Sequence, residues 1–294
     1  MERFRDRVAV ITGAASGIGR ALALDLARGG ARLALSDVDT DGLARTVARC
    51  RALGVDVEGW RVDVSDRAAM RGHVEDVLAR FGTVNLVFNN AGVALVAGAE
   101  EQSLEDIDRV LGINLQGVIH GSQLFLPHLI ASGDGHLVNI SSVFGLFAIP
   151  TQSAYHASKF AVRGYTESLA IEMAVSDHPV AVSCVHPGGI DTAIVRNAVV
   201  AGGRSRGGFE ELFAGMARTS PERAAAVILR GVARGRPRIL VGADAWTMHL
   251  LVQLLGSRYQ TLVRWAGTRT LRRLDDQAVE AAARGPEEPV ARAG

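Results

Sequence analysis

The sequence predicts a doubly wound parallel α/β sheet, and three observations carry that prediction. Short β-branched apolar runs alternate with amphipathic helical stretches from the first residues onward. The runs are apolar throughout instead of alternating with polar residues, as in strands buried on both faces. Successive runs lie a dozen or more residues apart, the length a helical crossover between parallel strands requires.

The elements follow in order. "RVAVITG" is the first strand, and "IGRALALDLARGG" is a helix stopped by glycine. "ARLALSD" and "TDGLARTVARCRALG" repeat that strand–helix pattern, as do "VEGWRVDVSD" and "RAAMRGHVEDVLARFG". "VNLVFNNAG" is the fourth strand, and "LEDIDRVLGINLQGVIHGSQLFLPHLIASG" predicts one long helix. "GHLVNISS" and "VAVSCVHPGG" are strands with a helix between them, and "PRILVG" is the last strand. The "AGGRSRGG" stretch at 201–208 reads as a mobile loop, and 283–294 as a disordered tail. The predicted organisation is one domain over 1–243, with a variable loop at about 193–220, then a helical extension over 244–282.

Composition narrows the function classes. A chain of 294 residues buries a full core, and 21% charged residues suit a soluble globular domain. A formal net charge of +1 provides no field for nucleic acid or for an acidic partner. Cys50 and Cys184 lie far apart, so neither a disulfide framework nor a metal site is expected. The N-terminus reaches a strand without a signal-peptide stretch, and no uncharged run has the length of a membrane span. The expectation is a cytoplasmic protein.

"TGAASGIG" links the first strand to the first helix. Gly13, Gly17 and Gly19 let the backbone turn tightly and approach a pyrophosphate, with Ser16 and Ile18 between them. Asp37, about 18 residues beyond Gly19, ends the second strand, where a carboxylate accepts hydrogen bonds from an adenosine ribose. Its charge would repel the extra phosphate of NADP. Ser36, Val38 and Asp39 surround it without a cation, and Ser16 holds a position where a basic residue would favour NADP. NAD is favoured on these grounds; a competing reading makes Asp37 only the cap of the next helix.

Tyr155 and Lys159 are four residues apart, so on a helix they share a face. A free tyrosine titrates near pH 10. A neighbouring ammonium and an oxidised nicotinamide both favour the phenolate, so acid–base work by this tyrosine needs a lysine beside it. By itself such a pair is a common accident of helices.

"TGAASGIG", "NNAG" at 89–92, Asn114, Ser142, "YHASK" at 155–159 and "HPGGIDT" at 186–192 together resemble the short-chain dehydrogenase/reductase family, in order and in register from about residue 5 to 195. The resemblance implies a Rossmann-type fold and a nicotinamide cofactor. It implies that Tyr155 is the acid–base, Lys159 its partner, and Ser142, in preference to Ser141, the serine that hydrogen-bonds the substrate oxygen. Asn114 matches the asparagine that helps hold a water in the proton relay. Asp63 and Val64 match adenine contacts, and Asn90, Ala91 and Gly92 the cofactor cleft. Pro187, Gly188, Ile190 and Thr192 match the nicotinamide end. His156, His186, His120 and His128 receive no chemical role.

Val93, Leu95, Phe144, Leu146, Phe147 and Ile149 make the substrate side apolar, so Val93, Leu95, Phe144 and Phe147 join Ser142 and Tyr155 as substrate contacts. A lipophilic alcohol or ketone of steroid, terpenoid or long-chain type is expected; Arg196, Arg204 and Arg206 leave an anionic substrate open. The last fifty residues depart from the commonest family pattern. In them Trp246, Leu250, Leu254 and Leu255 are expected to form a dry face. Packing over the substrate pocket, a dimer contact and peripheral membrane attachment are the three readings of that face. The family suits a homodimer or homotetramer. The leading expectation is an NAD-dependent alcohol dehydrogenase. An NADP-dependent carbonyl or 3-oxoacyl reductase is the alternative within enzymes, and a non-catalytic dinucleotide sensor the one outside them.

Overall fold

A computed structural model of the protein describes residues 2–191, 199–200 and 219–265. Thr192, Arg196, Arg204, Arg206, the 201–208 loop, the extension beyond 265 and the tail lie outside the described residues.

Seven strands form one parallel sheet: β1 (Val8–Thr12), β2 (Arg32–Asp37), β3 (Val57–Arg61), β4 (Leu86–Asn89), β6 (Gly135–Ile140), β7 (Val180–Pro187) and β9 (Arg238–Val241), in the order β3-β2-β1-β4-β6-β7-β9. The chain leaves β1 toward β2 on one side and returns through β4 on the other. The carboxyl ends of β1 and β4 therefore diverge into opposite crossovers and open a crevice between them. Two further strands, β5 (Leu95–Val96) and β8 (Val199–Val200), pair with each other as a small second sheet that the sequence does not announce.

Strand residues alternate between two cores. Ile11, Leu33 and Phe88 pack under α1 (Gly17–Arg28), α2 (Thr40–Arg51) and α7 (Pro221–Ala233). Val10, Val87 and Leu137 pack against α3 (Arg67–Phe81), α5 (Gly117–Ala131) and α6 (Ser153–Val175). Local chemistry sets the helix ends. The Asp39 side chain caps α2 by accepting from the Gly42 N–H at 2.9 Å, so the capping role falls to Asp39 and not to Asp37. Gly82, at φ +75°, ends α3 in the left-handed region. Both cysteines are buried and free.

Two expectations need correction. The long helix is continuous but not α throughout: a π-helical turn over Gly112–Gln116 lies between α4 (Leu104–Leu111) and α5. Periodicity cannot show this, because one extra residue per turn leaves the helical pattern almost intact; the turn brings Asn114 wholly inside. In the extension, α8 (Ala243–Leu255) turns Ala245, Met248, Leu251, Val252 and Leu255 inward. Trp246, Leu250 and Leu254 point out, 51%, 55% and 83% exposed, so of the expected dry face only Leu255 packs. This helix is apolar around most of its circumference, so spacing alone cannot choose its buried side. The aromatic loop after β6 chooses it. Among the described residues no helix is long and apolar enough to cross a membrane.

Candidate active site

A cavity of about 850 Å3 runs along the carboxyl ends of β1, β2, β4, β6 and β7. At one end the glycine loop joins β1 to α1. Gly13 and Gly17 hold φ +68° and +51°, which side-chain-bearing residues rarely adopt. A Cβ on Gly13 would meet the Ala91 Cα at 2.8 Å. Gly19 does not line the cavity; a Cβ there would run into the Gly13 carbonyl, so its smallness serves the packing of α1 against the loop. The Asn90 amide donates to the Thr12 and Gly13 carbonyls at 3.0 and 3.1 Å, anchoring the loop to β4.

Asp37 stands on the cavity wall at the end of β2. One carboxylate oxygen accepts from the Ala15 N–H at 2.8 Å and the other from Asp39 N–H at 3.0 Å. The carboxylate thus braces the glycine loop and keeps lone pairs free for ribose hydroxyls. The expectation of no neighbouring cation fails here: Arg61 is the β3 residue paired with Asp37, and it lines the same cavity. Asp63 and Val64 follow it on the wall, with the Val64 carbonyl 3.0 Å from His120 Nδ1. These features fit a dinucleotide: bare backbone where a pyrophosphate must approach, a helix N-terminus behind it, and a carboxylate at the ribose position.

The other end holds Tyr155, Lys159 and Ser142, the side chains that the resemblance implies are catalytic. Tyr155 lies in the first turn of α6, where the helix dipole favours negative charge, and Lys159 is one turn on. Both are buried, and the Lys159 ammonium sits 5.6 Å from the centre of the Tyr155 ring. Lys159 Nζ donates to the Ile140 carbonyl at 3.0 Å. The Ser142 hydroxyl accepts from Phe144 N–H at 3.1 Å and lines the same cavity as Tyr155. Burial pushes Tyr155 up to about 12 against the opposing pull of the Ser142 hydroxyl, and burial pushes Lys159 down to about 8. Desolvation therefore outweighs the nearby ammonium; the expected lowering invoked the oxidised nicotinamide as well. Asn114 accepts from Val93 N–H at 2.8 Å and donates to the Val93 carbonyl at 2.9 Å and to Ser158 Oγ at 3.2 Å. Its amide is thereby committed to holding the 92–93 backbone beside Lys159.

The remaining expected residues divide. Ser16, Ile18, Asn90, Ala91, Gly92, Val93, Phe144, Phe147, Pro187, Gly188 and Ile190 line the cavity. Leu95 does not: it is buried in β5 against Ala97, Val110 and Ala154, its β5 position pointing it into that small cluster. His186 is buried on β7, its Nδ1 2.9 Å from the Ser142 carbonyl. The expectation missed Asp244 and Met248, which α8 brings to the wall; Asp244 accepts from Gly189 N–H at 2.6 Å and ties the extension to the loop after β7. One sequence signal was available for the chemistry: Lys159 is the only lysine among 32 Lys and Arg residues. A guanidinium keeps its proton at any working pH and cannot replace a compact, titratable ammonium.

The comparisons with known proteins agree with this geometry. A family model described as short chain dehydrogenase matches residues 7–201. The chain is 54% identical over 264 residues to SadH, a Mycobacterium tuberculosis (strain ATCC 25618 / H37Rv) protein named as an oxidoreductase, covering 90% of this chain and 96% of that one. Cyclohexanol dehydrogenase of Acinetobacter sp. (strain SE19) is 36% identical over 194 residues, 66% of this chain and 76% of that protein. The crystal structure of a short chain dehydrogenase/reductase from Burkholderia phymatum in complex with NAD superposes with a TM-score of 0.78 at 33% identity, covering 90% of this chain and 94% of that one. With the glycine loop, Ser142, Tyr155 and Lys159 gathered on one cavity, the chain belongs to the short-chain dehydrogenase/reductase family.

Proposed function

We propose that the protein is an NAD-dependent oxidoreductase that interconverts a lipophilic secondary alcohol and its ketone, with Tyr155 as the acid–base. The observation that carries this reading is the buried pair of Tyr155 and Lys159, one helical turn apart with the ammonium 5.6 Å from the ring centre, sharing a cavity with Ser142 on a wall built from Phe144 and Phe147. The nicotinamide, when bound, accepts or returns the hydride. Tyr155 takes the proton of the substrate hydroxyl in oxidation and gives it back in reduction. Ser142 donates a hydrogen bond to the substrate oxygen as negative charge develops there. Lys159 and the first turn of α6 supply the positive potential that a Tyr155 phenolate needs. The apolar wall favours a substrate without charge, and the likeness to a cyclohexanol dehydrogenase supports a cyclic or similarly lipophilic alcohol.

Asp37 supports NAD, as does the likeness to an NAD-bound relative. Arg61 supports the second reading, an NADP-dependent carbonyl or 3-oxoacyl reductase. Fluorescence titration with NADH and NADPH separates the two: tighter NADH binding is the expected result, and tighter NADPH binding would favour the reductase. Tyr155→Phe is expected to remove at least ~99% of turnover while leaving NADH affinity within about twofold, since it deletes the proton donor and keeps the ring. Full activity in that variant would refute the mechanism, and cofactor binding without oxidation or reduction of any alcohol–ketone pair by the wild type would return the sensor reading.

A further inference from the structure

The loop from Val143 to Ile149 carries the aromatic wall of the site, and its backbone is incompletely self-satisfied. Its first half closes on itself, with Gly145 and Leu146 N–H donating to the Ser142 and Val143 carbonyls. Among the described residues, the N–H groups of Ala148 and Ile149 are hydrogen-bonded by side chains alone, one from each side of the loop. From α6, His156 Nε2 accepts from Ile149 N–H at 3.0 Å while His156 Nδ1 lies 3.1 Å from the Phe144 carbonyl. From beyond α8, the Tyr259 hydroxyl accepts from Ala148 N–H at 3.1 Å. Both rings also pack on the loop: His156 edge-on to Phe144 at 4.9 Å, Tyr259 perpendicular to Phe147 at 6.4 Å. Both residues are buried.

These bonds dictate the state of the imidazole. A ring nitrogen that accepts from an amide must carry a lone pair, so Nε2 is bare and Nδ1 holds the proton given to the Phe144 carbonyl. Neither His156 nor Tyr259 lines the cavity, but the residues they hold, Phe144 and Phe147, do. We propose that His156 and Tyr259 are positioning residues for the substrate: they clamp the 144–149 backbone from opposite sides and so set the shape of the apolar wall. The substrate part of this inference rests on the alcohol–ketone reading above. The clamp itself does not.

The design has a pH consequence. A second proton on His156 must go to Nε2, where it faces the Ile149 N–H and ends that bond. Burial lowers the His156 pKa below the usual imidazole value, while the Phe144 and Ile149 bonds pull it up. The clamp is thus closed at neutral pH and opens as the medium turns acid. The titratable groups that share its packing are Tyr155, whose ring lies 6.3 Å from Phe144, and Tyr259 across the loop. Neither is among the influences on the His156 proton, which are burial and the two backbone bonds.

The test compares cyclohexanol with propan-2-ol in wild type, His156→Leu, His156→Gln and Tyr259→Phe, with NADH affinity measured alongside. His156→Leu and Tyr259→Phe are expected to raise KM for cyclohexanol by about fivefold or more, the effect of one or two lost hydrogen bonds, with kcat, propan-2-ol KM and NADH affinity within about twofold. Glutamine, which can both accept and donate, is expected to restore most of the cyclohexanol KM and to remove its rise at acid pH. Equal changes for both alcohols, or none, would overturn the assignment. Amide hydrogen exchange at Ala148 and Ile149 reads the clamp without any substrate. Slow exchange in wild type and fast exchange in His156→Leu, with the strands still protected, is the expected result; unchanged exchange would overturn the clamp. If wild type oxidises no secondary alcohol, the alcohol–ketone reading fails while the exchange measurement still decides the clamp.

Discussion

Asp37 and Arg61 face the same stretch of the cavity from paired positions on β2 and β3, and they make opposite demands on the cofactor. A carboxylate accepts from two ribose hydroxyls and repels a phosphate; a guanidinium binds a phosphate through charge-assisted bonds. Asp37 is held rigidly by two backbone N–H groups, whereas Arg61 is exposed on the rim. On the proposed NAD reading the held group would be the stronger selector, because little further ordering is lost when a ligand binds it. Arg61→Ala is expected to weaken NADPH about tenfold and to leave NADH within about twofold, the share of one exposed charge-assisted contact. Parallel titrations of the two cofactors check this; equal loss for both would remove Arg61 from selectivity.

Helix α1 shows how one element serves the site through its own packing. Gly19, the third glycine of the loop motif, lies against the loop that precedes the helix, and a methyl group there has no space. Gly19→Ala is therefore expected to push α1 off the loop, costing about 1–3 kcal/mol of stability and weakening NADH about tenfold or more. Chemical denaturation and cofactor titration on the same sample measure both effects; normal affinity would show that the loop can shift at no cost. The π-helical turn between α4 and α5 works in a similar way. It aims Asn114 inward, so that a single amide holds the backbone of Val93 in both directions beside Gly92 and Lys159. Extra residues in a helix commonly mark functional positions, and this one orients the strand-end loop over the buried ammonium.

Among the described residues five histidines are buried, and three of them share one large shift: His73 on α3, His136 on β6 and His186 on β7. Burial lowers each to about 4; neighbouring arginines add to the effect at His136 and oppose no carboxylate there. The unfolded chain binds protons at these residues near pH 6.5, while the folded protein keeps them neutral until about pH 4. In that window the unfolded state holds more protons, so stability rises with pH and falls on acidification. Their contribution is complete above about pH 6.5 and is withdrawn progressively toward pH 4, by at most about 3 kcal/mol for each group. Urea midpoints at pH 7.5 and pH 5 are expected to differ accordingly, and His136→Gln to flatten the difference. Equal midpoints would mean that the imidazoles protonate in place without cost.

Ser142 was reached only through the family resemblance; by itself the sequence determined the strand–helix alternation, the glycine loop and the tyrosine–lysine pair. Each is written in local spacing: a run of β-branched residues, glycines between strand and helix, a separation of one helical turn. The tertiary structure decided what depends on neighbours distant in the chain. Arg61 reaches Asp37 only through strand pairing, and Tyr259 reaches Ala148 across 111 residues. The buried side of α8 was undecidable from its own pattern, because apolar residues occupy both sides and the aromatic loop supplies the partner. Leu95 looked like a substrate contact beside Val93, yet the two turn to different surroundings, one to the cavity and one to a small cluster of its own. Spacing along one element fixes which residues share a face, but only the packing of the other elements determines what that face meets.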